Sequence, residues 1–289
     1  MGRVSQLPVV LATRAELEAW HRSHSERRAV VMTMGALHEG HLALVDAALR
    51  VASTVIVSIF VNPLQFGPGE DFDAYPRTLD ADVRALAGRG VAAVFAPSAA
   101  QMYPGGRPSV RVVPGPVGEV FEGAIRPDHF SGVLTVVLKL LALTRPDVAL
   151  FGQKDAQQLA LIRQMARDLN LPVSVVATPI VRDDDGLATS SRNRFLSASQ
   201  RQAALALPQA IDSGAAAAAQ GAGVDEVRRI AGERLARAGD EVSVDYLDVV
   251  DSQTFTPLAE GVADSSQALL IGAIRVGGVR LIDNAVLER

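Results

Sequence analysis

The sequence predicts an α/β fold, in which a doubly wound parallel sheet is followed by a smaller α+β domain. Up to about residue 181, short apolar runs rich in β-branched residues alternate with segments that are apolar at helical spacing. This alternation is typical of strand–helix–strand units in a parallel sheet. Beyond residue 182, helical segments are followed by three extended runs. We therefore predict one domain over residues 1–181 and a second over residues 182–289.

The first domain is predicted to contain five strands separated by helices. Thr13 and Glu16 form a capping-box signal for a helix that runs to Trp20. A region rich in glycine and proline over residues 101–126 is predicted to be an irregular loop. The other elements follow from apolar periodicity: strands at 29–34, 54–61, 91–96, 148–152 and 173–181, and helices at 42–49, 79–88, 133–144 and 156–169.

The second domain is predicted to begin with a turn at residues 183–186 and to end in an antiparallel sheet. Helices are predicted at 197–211 and 225–238, and Pro208 should kink or end the first of them. The alanine-rich residues 215–223 are interpreted as a helix end and a flexible link. The pair Gly277-Gly278 predicts a tight hairpin, and the strands are expected at 242–249, 268–276 and 279–282.

The composition excludes several classes of protein. The chain is 48% hydrophobic and 21% charged, which indicates a globular protein, and its net charge of −4 does not favour nucleic acid as a partner. It has no cysteine, so disulfides and thiolate catalysis are excluded. The N-terminus lacks the apolar core of a signal peptide, and the longest apolar run is too short to span a membrane. We expect a cytoplasmic protein with no membrane partner.

Polar side chains follow four of the predicted strands, where a parallel sheet binds its ligands. The two histidines after the first of these strands lie three residues apart at a helix start, which attracts anions. Only two of the 28 basic residues are lysines, so Lys154 is notable. Cations and hydroxyls at one edge of the sheet would suit a triphosphate. The candidate residues that follow these four strands are, in chain order, His38 and His41; Asn62 and Gln65; Gly152, Lys154 and Asp155; and Arg182, Ser190, Ser191, Arg192 and Asn193.

Each of these residues also has an ordinary structural interpretation. The histidine pair and Lys154 could be solvated loop residues, and residues 190–193 could simply form a turn. His129 could pack beside Phe130. Asp80 and Asp82 lie near a predicted helix start, where the helix dipole favours acids, so a magnesium-binding role for Asp82 is the weaker alternative.

Five segments resemble, in order and spacing, those of the pantothenate synthetase (pantoate–β-alanine ligase) family. The similarity continues to DYLDVVD and RLIDN near the end of the chain, so it covers nearly all of it. A histidine pair separated by one residue and a glycine is common among nucleotidyltransferases, whereas five segments in order are far more specific. The segments are MGALHEGH at 34–41, FVNPLQF at 60–66, YPRT at 75–78, FGQKDAQQ at 151–158 and RDDDGLATSSRN at 182–193.

The resemblance implies a Rossmann-like domain with a small C-terminal lid domain, a homodimer, and a two-step reaction that makes the coenzyme A precursor pantothenate. ATP, accompanied by Mg²⁺, and pantoate would give pantoyl adenylate and pyrophosphate. The amine of β-alanine would then displace AMP. A carboxylate that attacks a phosphate needs both negative charges screened, which a ring of His, Lys and Arg can provide.

The resemblance also implies a role for each matching residue. The candidate catalytic residues are His38 and His41, which would hold phosphates, and Lys154, Ser190, Ser191 and Arg192, which would neutralise charge. Met34, Gly152, Asp155 and Val181 would complete the ATP site, with Gly152 and Asp155 at the ribose. Pantoate would be bound by Met34, Asn62, Gln65 and Gln158. His129 would contact β-alanine or support a substrate-binding residue.

Three residues depart from the family pattern, and three alternative functions are less consistent with the sequence. Met32 replaces a usual proline, Gln153 a usual glutamate and Ala156 a usual aromatic residue, changes that affect loop rigidity and packing.

A nucleotidyltransferase acting on a phosphorylated substrate would leave Gln65 and Gln158 without a purpose. The intact charged residues argue against an inactive nucleotide-binding or scaffold protein. A zinc site at the histidine pair lacks further ligands nearby.

Overall fold

The computed structural model describes residues 7–70, 72–259 and 268–287. Its contacts divide the chain into two compact units. The first unit comprises Met1–Gly152 and Leu161–Thr178, and the second comprises Gln153–Ala160 and Pro179–Arg289. The division thus falls close to the predicted boundary, and a short segment around Lys154 groups with the second unit.

The first unit is built on a parallel six-stranded sheet within the described residues, in the order β1-β4-β3-β2-β5-β6. The strand order runs in opposite directions on the two sides of β2 and β5, so the topological switch point lies between them. This confirms the predicted α/β class. The strands are β1 (Val9–Leu11), β2 (Arg28–Thr33), β3 (Thr54–Ile59), β4 (Ala93–Phe95), β5 (Val148–Gly152) and β6 (Ser174–Thr178).

The central strands are apolar because both faces of the sheet are covered by helices. Val30, Val31 and Ile56, for example, are fully buried. The helices formed by the first 178 residues are α1 (Arg14–His21), α2 (Glu39–Val51), α3 (Leu79–Ala85), α4 (Ala99–Met102), α5 (Glu122–Ile125), α6 (His129–Thr144) and α7 (Ala156–Asp168), and short 3₁₀ turns lie at Pro63–Gln65, Pro116–Gly118 and Gln153–Asp155.

The second unit packs helices against an antiparallel sheet in the order β7-β8-β9. Gly277 and Gly278 both have positive φ and form the predicted hairpin turn. The elements are a 3₁₀ helix at Ser191–Phe195, α8 (Ala198–Ala204), α9 (Ala206–Ala219), α10 (Val224–Ala236), β7 (Val242–Asp251), β8 (Ala268–Val276) and β9 (Val279–Val286).

Several predicted boundaries were wrong for identifiable reasons. The break between α8 and α9 falls at Leu205, before Pro208, which occupies the first turn of α9, where a missing N–H costs nothing. Helix α9 also continues to Ala219, so the predicted link is largely helical. Helix α6 begins earlier than predicted, at His129. Across the described ranges, no helix is both long enough and apolar enough to cross a membrane.

Candidate active site

The loop after β2 is held in an unusual conformation by a buried carboxylate. Gly35 and Ala36 have φ values of 86° and 50°, in the left-handed region. The Asp82 carboxylate, on a side chain only 3% exposed, accepts hydrogen bonds from Ala36 N (3.1 Å) and Leu37 N (2.8 Å). A positive φ is costly for alanine, so Asp82 stabilises a strained loop that leads directly into α2.

His38 and His41 lie together at the N-terminus of α2, where His38 is the N-cap residue. Their ring centroids are 4.0 Å apart, and His41 Nδ1 accepts from His38 N at 3.3 Å. A neutral His41 then carries its proton on Nε2, a suitable donor to a phosphate oxygen. A Cβ on Gly40 would lie 3.0 Å from His38 Cε1. A side chain at this position would therefore push the His38 ring by a few tenths of an ångström.

The predicted pantoate-binding residues Met34, Asn62 and Gln65 are brought together beyond β2 and β3. Asn62 is buried and donates to Gln65 Oε1 (3.0 Å) and to the carbonyl oxygen of Gly132 (3.2 Å). Asn62 Oδ1 accepts from the Tyr103 hydroxyl at 2.8 Å. Gln65 Nε2 lies 3.1 Å from Met34 Sδ. Asn62 is thus committed to protein contacts and orients the Gln65 amide, which suits it to positioning Gln65 more than to binding substrate.

Helix α6 approaches the turn that carries Gln65 so closely that only glycine fits at the contact. A Cβ on Gly132 would lie 2.1 Å from the carbonyl oxygen of Leu64. No flexible side chain could move aside to relieve this overlap, because the neighbouring atoms belong to the backbone. The Pro63–Gln65 turn therefore rests on the first turn of α6.

His129, at the start of α6, contacts the backbone of Gln65. Its Nδ1 lies 2.9 Å from the Gln65 carbonyl oxygen, and its Nε2 lies 3.0 Å from Arg126 Nη1. A guanidinium can only donate, so Nε2 accepts and Nδ1–H donates to Gln65. Burial, assisted by the charge of Arg126, lowers the pKa of His129 to about 4. Glu70 fixes Arg126 through a two-pronged ion pair, with distances of 2.8 and 2.7 Å. Of the two functional roles predicted for His129, this geometry supports the positioning of Gln65.

Lys154 lies in the turn that follows β5, and its backbone is held by β9. Asn284 Nδ2 donates to the carbonyl oxygens of Gln153 and Lys154, each at 3.0 Å. Lys154 Nζ is 3.9 Å from the Asp155 carboxylate, a weak ion pair on a half-exposed aspartate. Because Asn284 binds the main chain at Gln153, replacing the usual glutamate side chain leaves this contact intact.

Gly152, the last residue of β5, has open space where a side chain would project. A Cβ built on it meets no heavy atom of the described residues within 4 Å. Protein packing therefore does not require glycine at this position. The space is instead consistent with the close approach of a ligand, as predicted for the ATP ribose.

A short hairpin over residues 181–189 carries Arg182 and leads to the predicted site residues Ser190, Ser191 and Arg192. Thr189 N donates to the carbonyl oxygen of Val181 (2.9 Å), and Arg182 and Ala188 form an antiparallel bridge. The predicted turn closes the hairpin at Gly186, where φ is 93°. Arg182 in turn binds Asp283 of β9, with the shorter contact at 2.7 Å.

Beyond the hairpin, hydrogen bonds organise residues 190–193. Ser190 caps the following 3₁₀ helix, and its Oγ accepts from Arg192 N at 3.3 Å. Asn193 is buried and donates to the carbonyl oxygen of Ala188 (3.1 Å) and to Asp183 (3.2 Å). Ser191 and Arg192 are half-buried. The segment therefore has a defined backbone before any ligand binds.

Arg201 of α8 pairs with two of the three aspartates in the acidic turn of the hairpin. Arg201 binds Asp183 at 2.7 Å and Asp185 at 2.6 Å. Hydrogen bonds from Arg201 lower the pKa of Asp185. Burial raises the pKa of Asp183, but hydrogen bonds from Thr189, Arg201 and Asn193 outweigh it, so this pKa is also lowered. Asp183 and Asp185 are thus part of the scaffold of this turn.

The remaining predicted residues are placed as follows. Gln158 is half-buried in the first turn of α7, in the segment that groups with the second unit. The described residues contain no group of three or more His, Cys, Asp or Glu side chains arranged to hold a metal. The oxygens of Asp82 already accept hydrogen bonds, including one from the Thr78 hydroxyl at 3.2 Å. This geometry supports a structural role for Asp82 and gives its predicted magnesium role no support.

Two residues that hold candidate site residues were not identified from the sequence, namely Asp283 and Asn284. The resemblance had included them only as part of RLIDN, without a role. They lie next to each other on β9 and are 2% and 3% exposed. Burial raises the pKa of Asp283, and the ion pair with Arg182 opposes that shift. A buried Asp-Asn pair on a strand is a signal that sequence reasoning could have used, because such groups need polar partners.

Comparisons with known proteins identify the family to which this fold and sequence correspond. The family model for pantoate-beta-alanine ligase matches residues 9–286. The pantothenate synthetase of Acidothermus cellulolyticus is 53% identical over 283 residues, which is 98% of this chain and 92% of the relative. A pantothenate synthetase structure from Thermus thermophilus has a TM-score of 0.91 at 46% identity, covering 97% of this chain and 100% of that one.

A third relative was solved with substrate-like ligands. The pantoate-beta-alanine ligase of Francisella tularensis, complexed with beta-gamma ATP and beta-alanine, has a TM-score of 0.79 at 31% identity and covers 98% of each chain. The full-length family match and the near-complete overlap with these relatives lead to one conclusion. This chain belongs to the pantoate–β-alanine ligase family.

Proposed function

We propose that this ligase condenses pantoate with β-alanine through a pantoyl-adenylate intermediate, using the residues described above. The single observation that carries the proposal is the arrangement at the carboxyl ends of the central strands β2 and β3. There the His38–His41 pair follows β2, and the Met34–Asn62–Gln65 cluster, which offers an amide to a small polar acid, lies beyond β2 and β3.

In the first step, a pantoate carboxylate oxygen attacks the α-phosphorus of ATP. A P–O bond forms, the bond between the α-phosphorus and the bridging oxygen breaks, and pyrophosphate leaves. His38 and His41 donate to phosphate oxygens from the N-terminus of α2, where the helix dipole favours negative charge. Lys154 and Arg192 neutralise charge on the leaving group, and Ser190 and Ser191 donate hydroxyl hydrogen bonds. The protein supplies no nucleophile, because the attacking group belongs to the substrate.

In the second step, the neutral amine of β-alanine attacks the acyl carbon of pantoyl adenylate. A C–N bond forms, the C–O bond to AMP breaks, and the amine nitrogen loses a proton. Gln65, oriented by Asn62 and through its carbonyl by His129, holds the pantoyl group, with Met34 beside it. Gln158 provides a further amide for pantoate. Gly152, Asp155 and Val181 complete the ATP site at the ribose and base.

Magnesium enters this proposal only as part of the substrate, MgATP. The residues that the structure describes lack a cluster of side-chain ligands, and Mg²⁺ commonly binds through substrate phosphates with few protein ligands. The proposed mechanism uses no metal ion bound by protein side chains. The location proposed is the cytoplasm, where ATP is available as a stoichiometric substrate.

A homodimer is also proposed for this ligase. The support for a dimer is the resemblance to a family of dimeric enzymes, and the exposed Val110 and Val113 are candidates for the surface that would be buried. Light scattering coupled to gel filtration tests this directly. A mass near twice the 30.5 kDa of one chain is expected. A monomeric mass at micromolar concentration would contradict the dimer.

The experiment that tests the function measures pantothenate, AMP and pyrophosphate from purified protein supplied with pantoate, β-alanine and MgATP. AMP release should require β-alanine, because the adenylate stays bound until the amine attacks. AMP release without β-alanine, in the absence of pantothenate formation, would contradict the ligase mechanism. Pyrophosphate release with no free AMP after β-alanine is added would instead favour transfer of the adenylyl group to another acceptor, because AMP would then remain in the product.

The chain offers a matched pair of lysine variants for this assay. Lys154→Ala should lower turnover at least ~100-fold, the scale of a lost electrostatic donor. Lys139→Ala, which removes the only other lysine, from a position over the Tyr103 ring, should change turnover by less than about threefold. Equal effects of the two substitutions would refute the role of Lys154.

A further inference from the structure

The β9 pair Asp283-Asn284 binds the segment that carries Lys154 and the segment that carries Arg182. Asn284 reaches the Gln153–Asp155 turn, and Asp283 reaches Arg182 at the base of the hairpin over residues 181–189. Asp283 Oδ1 also accepts from Asn284 N at 2.8 Å, which couples the two residues. Two turns that are distant in sequence are thereby attached to consecutive residues of one strand.

The orientation of the Asn284 amide is determined by its partners. Carbonyl oxygens only accept hydrogen bonds, so the nitrogen must face Gln153 and Lys154, and it donates one hydrogen to each. The side chain is 3% exposed, so water does not compete for these bonds. A single amide therefore fixes two successive peptide units of the turn that carries Lys154.

This contact matters for chemistry because the Lys154 side chain is long and flexible. Four carbons separate its ammonium from the backbone, and its only ion-pair contact in the described residues is the weak one to Asp155 at 3.9 Å. The position of the ammonium before substrate binds thus depends on the backbone from which it extends. A displacement of about 1 Å at a reacting centre can cost on the order of 100-fold in rate.

We propose that Asn284 is a positioning residue for the adenylation step and acts through Lys154 by fixing the backbone of the Gln153–Asp155 turn. This proposal rests on the function proposed above. It predicts that Asn284→Ala lowers kcat for pyrophosphate release by about 10- to 100-fold. The KM for pantoate should change less than kcat, because Met34, Asn62 and Gln65 lie in the first unit and only Gln158 lies in the segment that Asn284 holds.

A double-substitution cycle separates positioning from a merely structural role. If Asn284 acts through Lys154, its loss has no further effect once the ammonium is gone. Turnover of the Lys154→Ala/Asn284→Ala protein should then lie within about threefold of Lys154→Ala alone. Effects that multiply would overturn the proposal, as would normal kcat in Asn284→Ala.

Two controls keep the result interpretable. Ile274→Val trims a fully buried side chain of β8 and should lower stability with unchanged kcat. Asn284→Ser retains one donor and should give an intermediate kcat, and it carries the same cycle if the alanine variant does not fold. Failure of the wild-type protein to form pantothenate would refute the proposed function, whereas an active wild type with multiplicative effects would refute only the role of Asn284.

Discussion

Replacement of Asp82 should destabilise the protein and slow adenylation together, although Asp82 contacts no substrate in the proposed mechanism. Its carboxylate accepts from two backbone N–H groups of the strained loop and from the Thr78 hydroxyl. Asp82→Ala leaves Ala36 N and Leu37 N without their acceptor in a buried setting. Each unsatisfied donor costs about 1–3 kcal/mol, so loss of the acceptor for these two donors should lower the free energy of unfolding by about 2–6 kcal/mol.

The loop should also lose its left-handed conformation at Ala36, because Asp82 offsets the cost of that geometry. His38 follows closely in the chain, so its ring would no longer be held at the N-terminus of α2. We expect the rate of pyrophosphate release at saturating ATP to fall by about 10- to 100-fold. Urea unfolding at room temperature and a continuous pyrophosphate assay measure the two effects.

Asp80→Ala provides the matched control, since Asp80 is an exposed acid in the first turn of the same helix. It should cost at most about 1 kcal/mol through the helix dipole and leave the rate unchanged. Equal urea midpoints for the two alanine variants would refute the structural role of Asp82. A loss of activity that excess Mg²⁺ restores, without loss of stability, would instead favour metal binding.

Three further predictions follow from contacts in the structure. Gly40→Ala should keep or slightly raise stability, since alanine favours helices by up to about 1 kcal/mol. It should nevertheless lower the adenylation rate, because the new Cβ meets the His38 ring. The control Gly232→Ala, whose Cβ would make an ordinary 3.8 Å contact with Leu247, should leave the rate unchanged. Gln65→Leu should raise the KM for pantoate by at least about tenfold while the KM for ATP stays constant, because it removes the amide proposed to bind pantoate together with that amide's contacts to Asn62 and Met34, which are also proposed pantoate-binding residues. Parallel rises in both constants would contradict a pantoate-specific role. The pKa of His129 is lowered from 6.5 to about 4, so the unfolded chain binds this proton as the pH falls through 6.5 while the folded protein does not. The free energy of unfolding should therefore decrease as the pH falls from 6.5 to about 4, and His129→Gln should reduce that slope; an unchanged slope would show that His129 is not the group responsible.

The sequence predicted those helices, strands and turns whose characteristic pattern spans only a few neighbouring residues. The capping box of α1 is present as expected, with Thr13 and Glu16 in reciprocal contact. The buried strands and the Gly277-Gly278 hairpin were also predicted from local sequence, because a buried strand requires apolar residues and a tight turn requires residues that adopt positive φ. Strand β1 was missed because three residues with two exposed side chains carry too little periodicity.

The supporting contacts of the site were not predictable in the same way. Asp82 lies 46 residues from Ala36, and Asn284 lies 130 residues from Lys154. From the local sequence, Asp82 was only an acid at a helix start, and the partner that explains its burial comes from another loop. Sequence reasoning thus identified candidates for substrate contact, whereas the residues that hold them in place required the fold.

The most direct test of the central claim follows the oxygen atoms of pantoate. The proposed first step joins a carboxylate oxygen of pantoate to the α-phosphorus, and the second step breaks the bond between that oxygen and the acyl carbon. Pantoate labelled with ¹⁸O in its carboxylate should therefore transfer one labelled oxygen to AMP, which mass spectrometry detects. Unlabelled AMP formed together with pantothenate would contradict an acyl-adenylate intermediate.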